Sequence, residues 1–348
     1  MAVQPLATLS LRTGPHRRIC CPVTIDAPEG VAPGAYALVD VTSGATLPAQ
    51  VVPAADGPPR LIAVLDDVPP ESERQYRLMP APAGEGAGVA LKDDGEAVTV
   101  EVDGELFTRY HYGRSVIRPY LYPVIGPFSA ALTRHFPMAD VPGERRDHPH
   151  HRSIWFTHGD VNGVDNWSEH PSHGYTRHRR FAVPPTGGPI AGLFHSESVW
   201  TDAEERPILT QQLELTFYRL PPLYRLIDVR LTFQADRGPV VFGDTKEGGL
   251  VSVRVASSMD AAGEGRIENG VGAVGEPETW GKRAPWCDYS GPVQTPYGRH
   301  EVGIAIFDHP GNVRYPTPWH VRAYGLMTAN CFGLRAFSGD EAADGAFR

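Results

Sequence analysis

No apolar run in this sequence approaches the roughly 20 residues that a membrane-spanning helix requires. Residues 1–18 carry prolines and arginines where a secretory signal would carry a continuous apolar segment, so a cytoplasmic protein with no membrane partner is expected. Cysteine is scarce as well. Cys20 and Cys21 are adjacent, Cys287 and Cys331 lie far away, and no C-x-x-C pair occurs. That pattern excludes a disulfide framework and dithiol redox chemistry, and it fits reduced thiols. Positive charge falls short of negative: 32 Lys and Arg against 41 Asp and Glu leave a formal charge of −9. With no basic face, a nucleic-acid partner held by phosphate contacts is not expected. The G-x-x-x-x-G-K phosphate loop is missing too, so no nucleotide cofactor is implied.

Long 3.6-residue apolar patterns are also absent, and 37 Gly with 34 Pro in 348 residues interrupt the chain too often for helices. What remains is a β signal. Ala35–Val39 and Leu61–Leu65 are short apolar runs between turn clusters, and a Pro/Ala/Gly-rich stretch at residues 80–88 reads as a linker. Two domains follow: a small β domain over residues 1–88 and a large one over residues 89–348. In the second, Asp103-Gly104 is a two-residue hairpin turn after an alternating run. Leu213, Leu215 and Phe217, then Ile227, Val229, Leu231 and Phe233, alternate with polar residues as two neighbouring antiparallel strands with one wet face each. The fold class is all-β, a large antiparallel sandwich or barrel-like domain preceded by a small β domain.

Against this background one segment stands apart. Gly143 to Asp160 holds four histidines, three acidic residues and three arginines, and seven of the 14 histidines fall between His148 and His178. Such groups are costly to bury unpaired, so their concentration marks a candidate site. If His148 to His150 is extended, both imidazoles share one face as a metal-binding H-x-H pair, with Asp147 and His151 on the other. His158 joins them only if the chain folds back, since eight extended residues span roughly 26 Å. His148, His150 and His158 are thus the candidate ligands of one divalent metal ion, and His150 and His151 the candidate proton carriers. Surface histidines, or a structural cluster, fit the same spacing.

Asp160, Asn162 and two glycines describe a tight loop flanked by Trp155 and Trp167, side chains that can grip a sugar ring; Trp155, within Ile154-Trp155-Phe156, also fits a core position. Lys246 and Glu247 precede Gly248-Gly249 and fit either an acid–base pair or a solvated turn. The stretch Gly275 to Tyr289 brings Glu276, Glu278, Trp280, Lys282 and Arg283 into a segment without strand periodicity, and Asp308-His309 and Trp319-His320 repeat the theme. Arg152, Asp160, Asn162, Trp280, Lys282, Arg283 and His309 are the candidate substrate contacts. His150, His151, Lys246, Glu247 and Glu278 are the candidate catalytic groups.

Arg118–Pro123, Asp147–Ser153, His158–Gly163, Gly243–Gly249, Glu278–Ala284 and Asp308–Pro310 together resemble, in the same order, a bacterial family labelled "methane oxygenase PmoA". The resemblance implies a sandwich similar to the galactose mutarotase and sugar-lyase supersandwiches, further strands beyond Gly333, and a setting in carbohydrate metabolism. The function expected is proton transfer on a small-molecule carbohydrate, a sugar or keto-sugar glycoside, by a lyase, hydrolase or epimerase. A base, an acid and an enolate stabiliser are what that chemistry requires. The alternatives are a metal-dependent oxygenase using His148, His150 and Asp160 as a facial triad, and a non-catalytic sugar-binding protein.

Overall fold

The computed structural model describes residues 4–81 and 88–348, so most of the expected linker at 80–88 lies outside the described residues. Ala7–Arg12, Arg18–Asp26, Gly34–Asp40, Thr46–Val52, Arg60–Val68 and Glu73–Pro80 form one six-stranded antiparallel sheet. Leu38, Ala49, Val51, Leu61, Ala63, Tyr76 and Leu78 make its apolar cluster. Gln50 ties this sheet to the rest of the chain. Its Oε1 accepts hydrogen bonds from the buried Ile190 and Ala191 amides, at 3.1 and 3.0 Å.

Three further sheets follow. Tyr175–Thr186, Ala191–Thr201, Pro207–Tyr218 and Leu226–Gln234 make a four-stranded sheet, and Arg266–Asn269, Trp286–Thr295 and Gly298–Phe307 a three-stranded one. The largest sheet runs, in spatial order, Trp319–Arg322, Leu326–Ala329, Gly248–Arg254, Ile154–His158, Tyr120–Val124, Glu105–His111, Ala97–Val102 and Val89–Asp93. Helices are brief, and the all-β expectation holds. The Asp103-Gly104 turn forms as expected, with both residues at positive φ (52° and 84°), the twist that lets a two-residue loop join adjacent strands. The two alternating runs pair as expected too, with Leu213 opposite Leu231, Leu215 opposite Val229 and Phe217 opposite Ile227. Past Gly333, where the resemblance implied more strands, the chain makes a short helix, Leu334–Ser338, and a bridge of two backbone hydrogen bonds between Phe347 and Phe242.

The eight-stranded sheet has two unlike faces. Val98, Val100, Phe107, Leu121, Ile154, Phe156, Val253, Val255, Val321 and Met327 pack on Phe194, Leu213, Leu215 and Phe217 of the four-stranded sheet and on Ile267, Tyr289 and Val302 of the three-stranded one. This is the sandwich core, and burying each large apolar side chain contributes roughly 1.5–3 kcal/mol. The strand period of two sends the intervening residues to the other face. There the register aligns His320, Thr328, Ser252, Trp155, Tyr120 and His111 in one row across the strands. Arg322, Leu326 and Arg254 form the adjacent row. No helix among the described residues is long and apolar enough to cross a membrane.

Candidate active site

The histidine-rich segment lies against the polar face, and a buried arginine holds it there. Arg134 Nη1 donates to the Asp147 carboxylate at 2.6 Å and to the Asp147 carbonyl at 2.8 Å; Nη2 donates to the His148 carbonyl at 2.9 Å. Arg254, from the sheet, donates to the same Asp147 Oδ1 at 2.8 Å. Both guanidiniums are fully buried. Burial pulls Arg134 down to about 10 and lowers Arg254 as well, yet a guanidinium at that level stays protonated at neutral pH. Burial works against the Asp147 charge in turn, but Arg254, His148 and Arg134 outweigh it and hold the carboxyl below its usual range.

Residues 143–153 form no strand, and His148 has φ +43°. The expected face assignment therefore fails, because a period of two applies only to extended backbone. His148 and His151, expected on opposite faces, stack with ring centroids 4.7 Å apart, and His150 meets His151 edge-on at 4.5 Å. Trp155 and Trp167 close the cluster from the protein side, at 5.2 and 5.4 Å from His151. Both tryptophans are buried, Trp155 completely. Trp155 is thus a core residue, and Trp167 offers no open platform for a sugar. Tyr324, half-buried and stacked on His148 at 5.0 Å, is the aromatic ring at the cluster's edge.

The protonation of His151 follows from its partner. Arg254 Nη1 lies 3.1 Å from His151 Nδ1, and a guanidinium can only donate. Nδ1 must accept, so His151 is neutral with its hydrogen on Nε2. Burial, followed by the nearby His150 and Arg254, pushes its pKa well below the ordinary 6.5. His150 is pulled down to about 4, first by burial and then by the Arg118 charge. The near-neutral pKa that suits a general base is therefore absent from this pair. Instead the site holds imidazoles kept uncharged among arginines: His150 with a proton-accepting nitrogen, His151 with a donor.

Around them stand charged groups that are already paired. Arg152 holds Glu169 through two hydrogen bonds, at 2.7 and 2.9 Å, so its expected substrate role becomes an internal ion pair. Arg118 is also buried; its Nη2 donates to the Ser168 carbonyl at 2.8 Å, while Nη1 has no hydrogen-bond partner and sits 3.6 Å from Glu169. Lys246 pairs with Glu247 on a half-exposed turn that Asn330 fastens through the Thr245 and Lys246 carbonyls. Glu247 lies close enough to act on the charges of His150, His320 and Tyr324. His320 is buried, with neither ring nitrogen hydrogen-bonded, and burial lowers it to about 4.

Other expected site residues lie elsewhere. His158 donates Nε2–H to the Gly243 carbonyl at 2.9 Å and packs on Phe242 and Phe332. A Cβ on Gly248 would stand 2.5 Å from its Nδ1, which explains that glycine. His148, His150 and His158 thus do not converge, and among the described residues no three His, Cys, Asp or Glu side chains are placed to hold a metal ion. Asp160 accepts from the Gly163 amide and abuts Gly243, away from His148 and His150, so the facial triad is not assembled either. Asn162 clamps the Val241 amide and Pro239 carbonyl. Arg283 binds the Arg314 and Pro316 carbonyls, and His309 accepts from the Gly311 amide in its own turn. Glu278 and Lys282 are exposed; the Glu278 carboxylate faces its own helix approach at the Val274 amide. Asn162, Arg283 and His309 thus complete loops, as polar residues commonly do.

Arg134, Arg254 and Tyr324 shape the site without having been singled out by sequence, whereas Arg118 lay in a quoted motif and Glu276 and His320 in stretches rich in functional groups. Arg254 left a signal: Ser252 and Arg254 alternate with Val251 and Val253, as His320 and Arg322 do with Trp319 and Val321. That alternation reads as a wet face, and only the fold shows it to be covered.

With the geometry in place, comparison identifies the lineage. The chain belongs to a family of unknown function (DUF6807), whose profile matches residues 97–345. No curated protein matches the chain.

Proposed function

We propose that this family member is a carbohydrate-active enzyme that transfers a proton on a sugar or keto-sugar glycoside, as a lyase, hydrolase or epimerase. One observation carries the reading: three imidazoles, two of them held neutral, are gathered on the polar face of a sandwich sheet beside Tyr324 and within reach of Arg118 and Glu247. A neutral His150 accepts the proton. Its low basicity is set by burial and by the Arg118 cation, so negative charge developing on the substrate would offset that cation and strengthen the base as the reaction proceeds. His151 Nε2–H donates to a substrate oxygen. The galactose-mutarotase-like form of the sandwich is part of the same reading, supported by the all-β layers and by the motifs quoted above.

The test is proton exchange. In D2O the wild-type protein should place deuterium on the carbon next to the carbonyl of a keto-glycoside, and His150→Gln should slow this about 10²–10⁴-fold. Undiminished exchange in His150→Gln contradicts the assignment of the base. Sugar binding without exchange by either protein leaves a binding protein instead.

A further inference from the structure

An open surface pocket of about 390 Å³ lies next to the turn that carries Tyr324, lined by Glu276, Pro277, Trp280, Arg322 and Ala323. The turn Arg322 to Gly325 links it to the cluster. Arg322 and Ala323 wall the pocket, while Tyr324, the next residue, stacks on His148. The charges at the pocket are spent on each other: Arg322 Nη1 donates to Glu276 Oε1 at 2.8 Å, and the Ala323 amide donates to Glu276 Oε2. What is left for a ligand is the indole of Trp280, the Pro277 ring and the Ala323 methyl. The Trp280 Nε1–H is buried away from the pocket, so the indole presents only its apolar surface there. The volume lies within the range that small-molecule pockets occupy.

Resting on the carbohydrate reading above, we infer that this pocket is a second subsite that takes a neutral ring with an apolar face, the aglycone or second sugar of a glycoside. A phosphate or nucleotide leaving group finds no unpaired cation there. Trp280 stacks on the ring through its apolar surface. The substrate is then a two-ring glycoside that spans the Tyr324 turn, with one ring at His148 and His150 and the other at Trp280. That favours cleavage of the link between the rings over epimerisation of a free monosaccharide.

Calorimetry with the full-length His150→Gln protein tests this, using methyl β-glucoside, phenyl β-glucoside and cellobiose. The inference predicts that at least one two-ring ligand binds about tenfold tighter than the methyl glucoside. Preference for the phenyl glucoside marks an aryl aglycone, and preference for cellobiose a second sugar. Adding Trp280→Leu, or Ala323→Phe to fill the pocket, should remove the difference. Equal affinities for all three, or a preference that survives both substitutions, overturns the subsite while leaving the carbohydrate reading in place. No binding by any of the three overturns both.

Discussion

The two faces of the eight-stranded sheet are buried to similar degrees by opposite means. On one, Leu121, Val253 and Met327 are sealed by apolar contact with the other sheets. On the other, Arg254, Ser252 and Thr328 are sealed just as fully, and every charge there must find a counter-charge or a hydrogen bond. The first face tolerates imprecision, because dispersion and hydrophobic burial are non-directional. The second does not: Asp147 shared between Arg134 and Arg254, and Arg254 turned toward His151, specify one arrangement of the histidines. A sheet that covers its polar face in this way holds a site on rigid backbone, where a loop alone would leave it loose.

The comparison can be broken most severely at Arg254. Arg254→Ala takes from Asp147 one of its two buried guanidinium partners and leaves His151 Nδ1 without its donor, so urea unfolding should show a loss of about 3–5 kcal/mol. That is comparable to Leu121→Ala on the apolar face, about 2–5 kcal/mol, although little apolar area is removed. A cost under about 1 kcal/mol would mean that the network is ordinary wet surface. Acid should separate the faces next. His151 and His320 are neutral in the fold, with pKa values below the ordinary 6.5 and that of His320 at about 4. The unfolded chain therefore binds protons that the folded one refuses. Stability is full above about pH 6.5 and falls as pH drops toward 4; His320→Phe should flatten part of that slope in unfolding curves taken at several pH values. The smallest effect belongs to the apolar face, where Met327→Leu should cost under about 1.5 kcal/mol at any pH.

Much of the apolar core between the sheets was legible in the sequence and little of the polar face. Period-two runs at Leu213–Phe217 and Ile227–Phe233, and the Asp103-Gly104 turn, dictate strands and their pairing through local sterics and burial alone. The importance of the Asp147–His151 segment was legible as well, since its composition is too costly for a bland role. Its geometry was not. The positive φ at His148 and the clasp of Arg134 on the Asp147 and His148 carbonyls depend on a residue 13 positions away from Asp147, and no local pattern announces them. The same holds for Asn162, Arg283 and His309, whose side chains satisfy backbone groups that exist only once the loops have formed. Polar residue type alone does not separate such fasteners from groups that face a ligand.

The measurement that bears most directly on this account is an NMR titration of the imidazole nitrogens between pH 8 and 4. The account predicts that His151 stays neutral with its hydrogen on Nε2 across most of that range, and that His150 takes up its proton only near pH 4. Titration of either ring at the ordinary value near 6.5, or a hydrogen on His151 Nδ1, would contradict it.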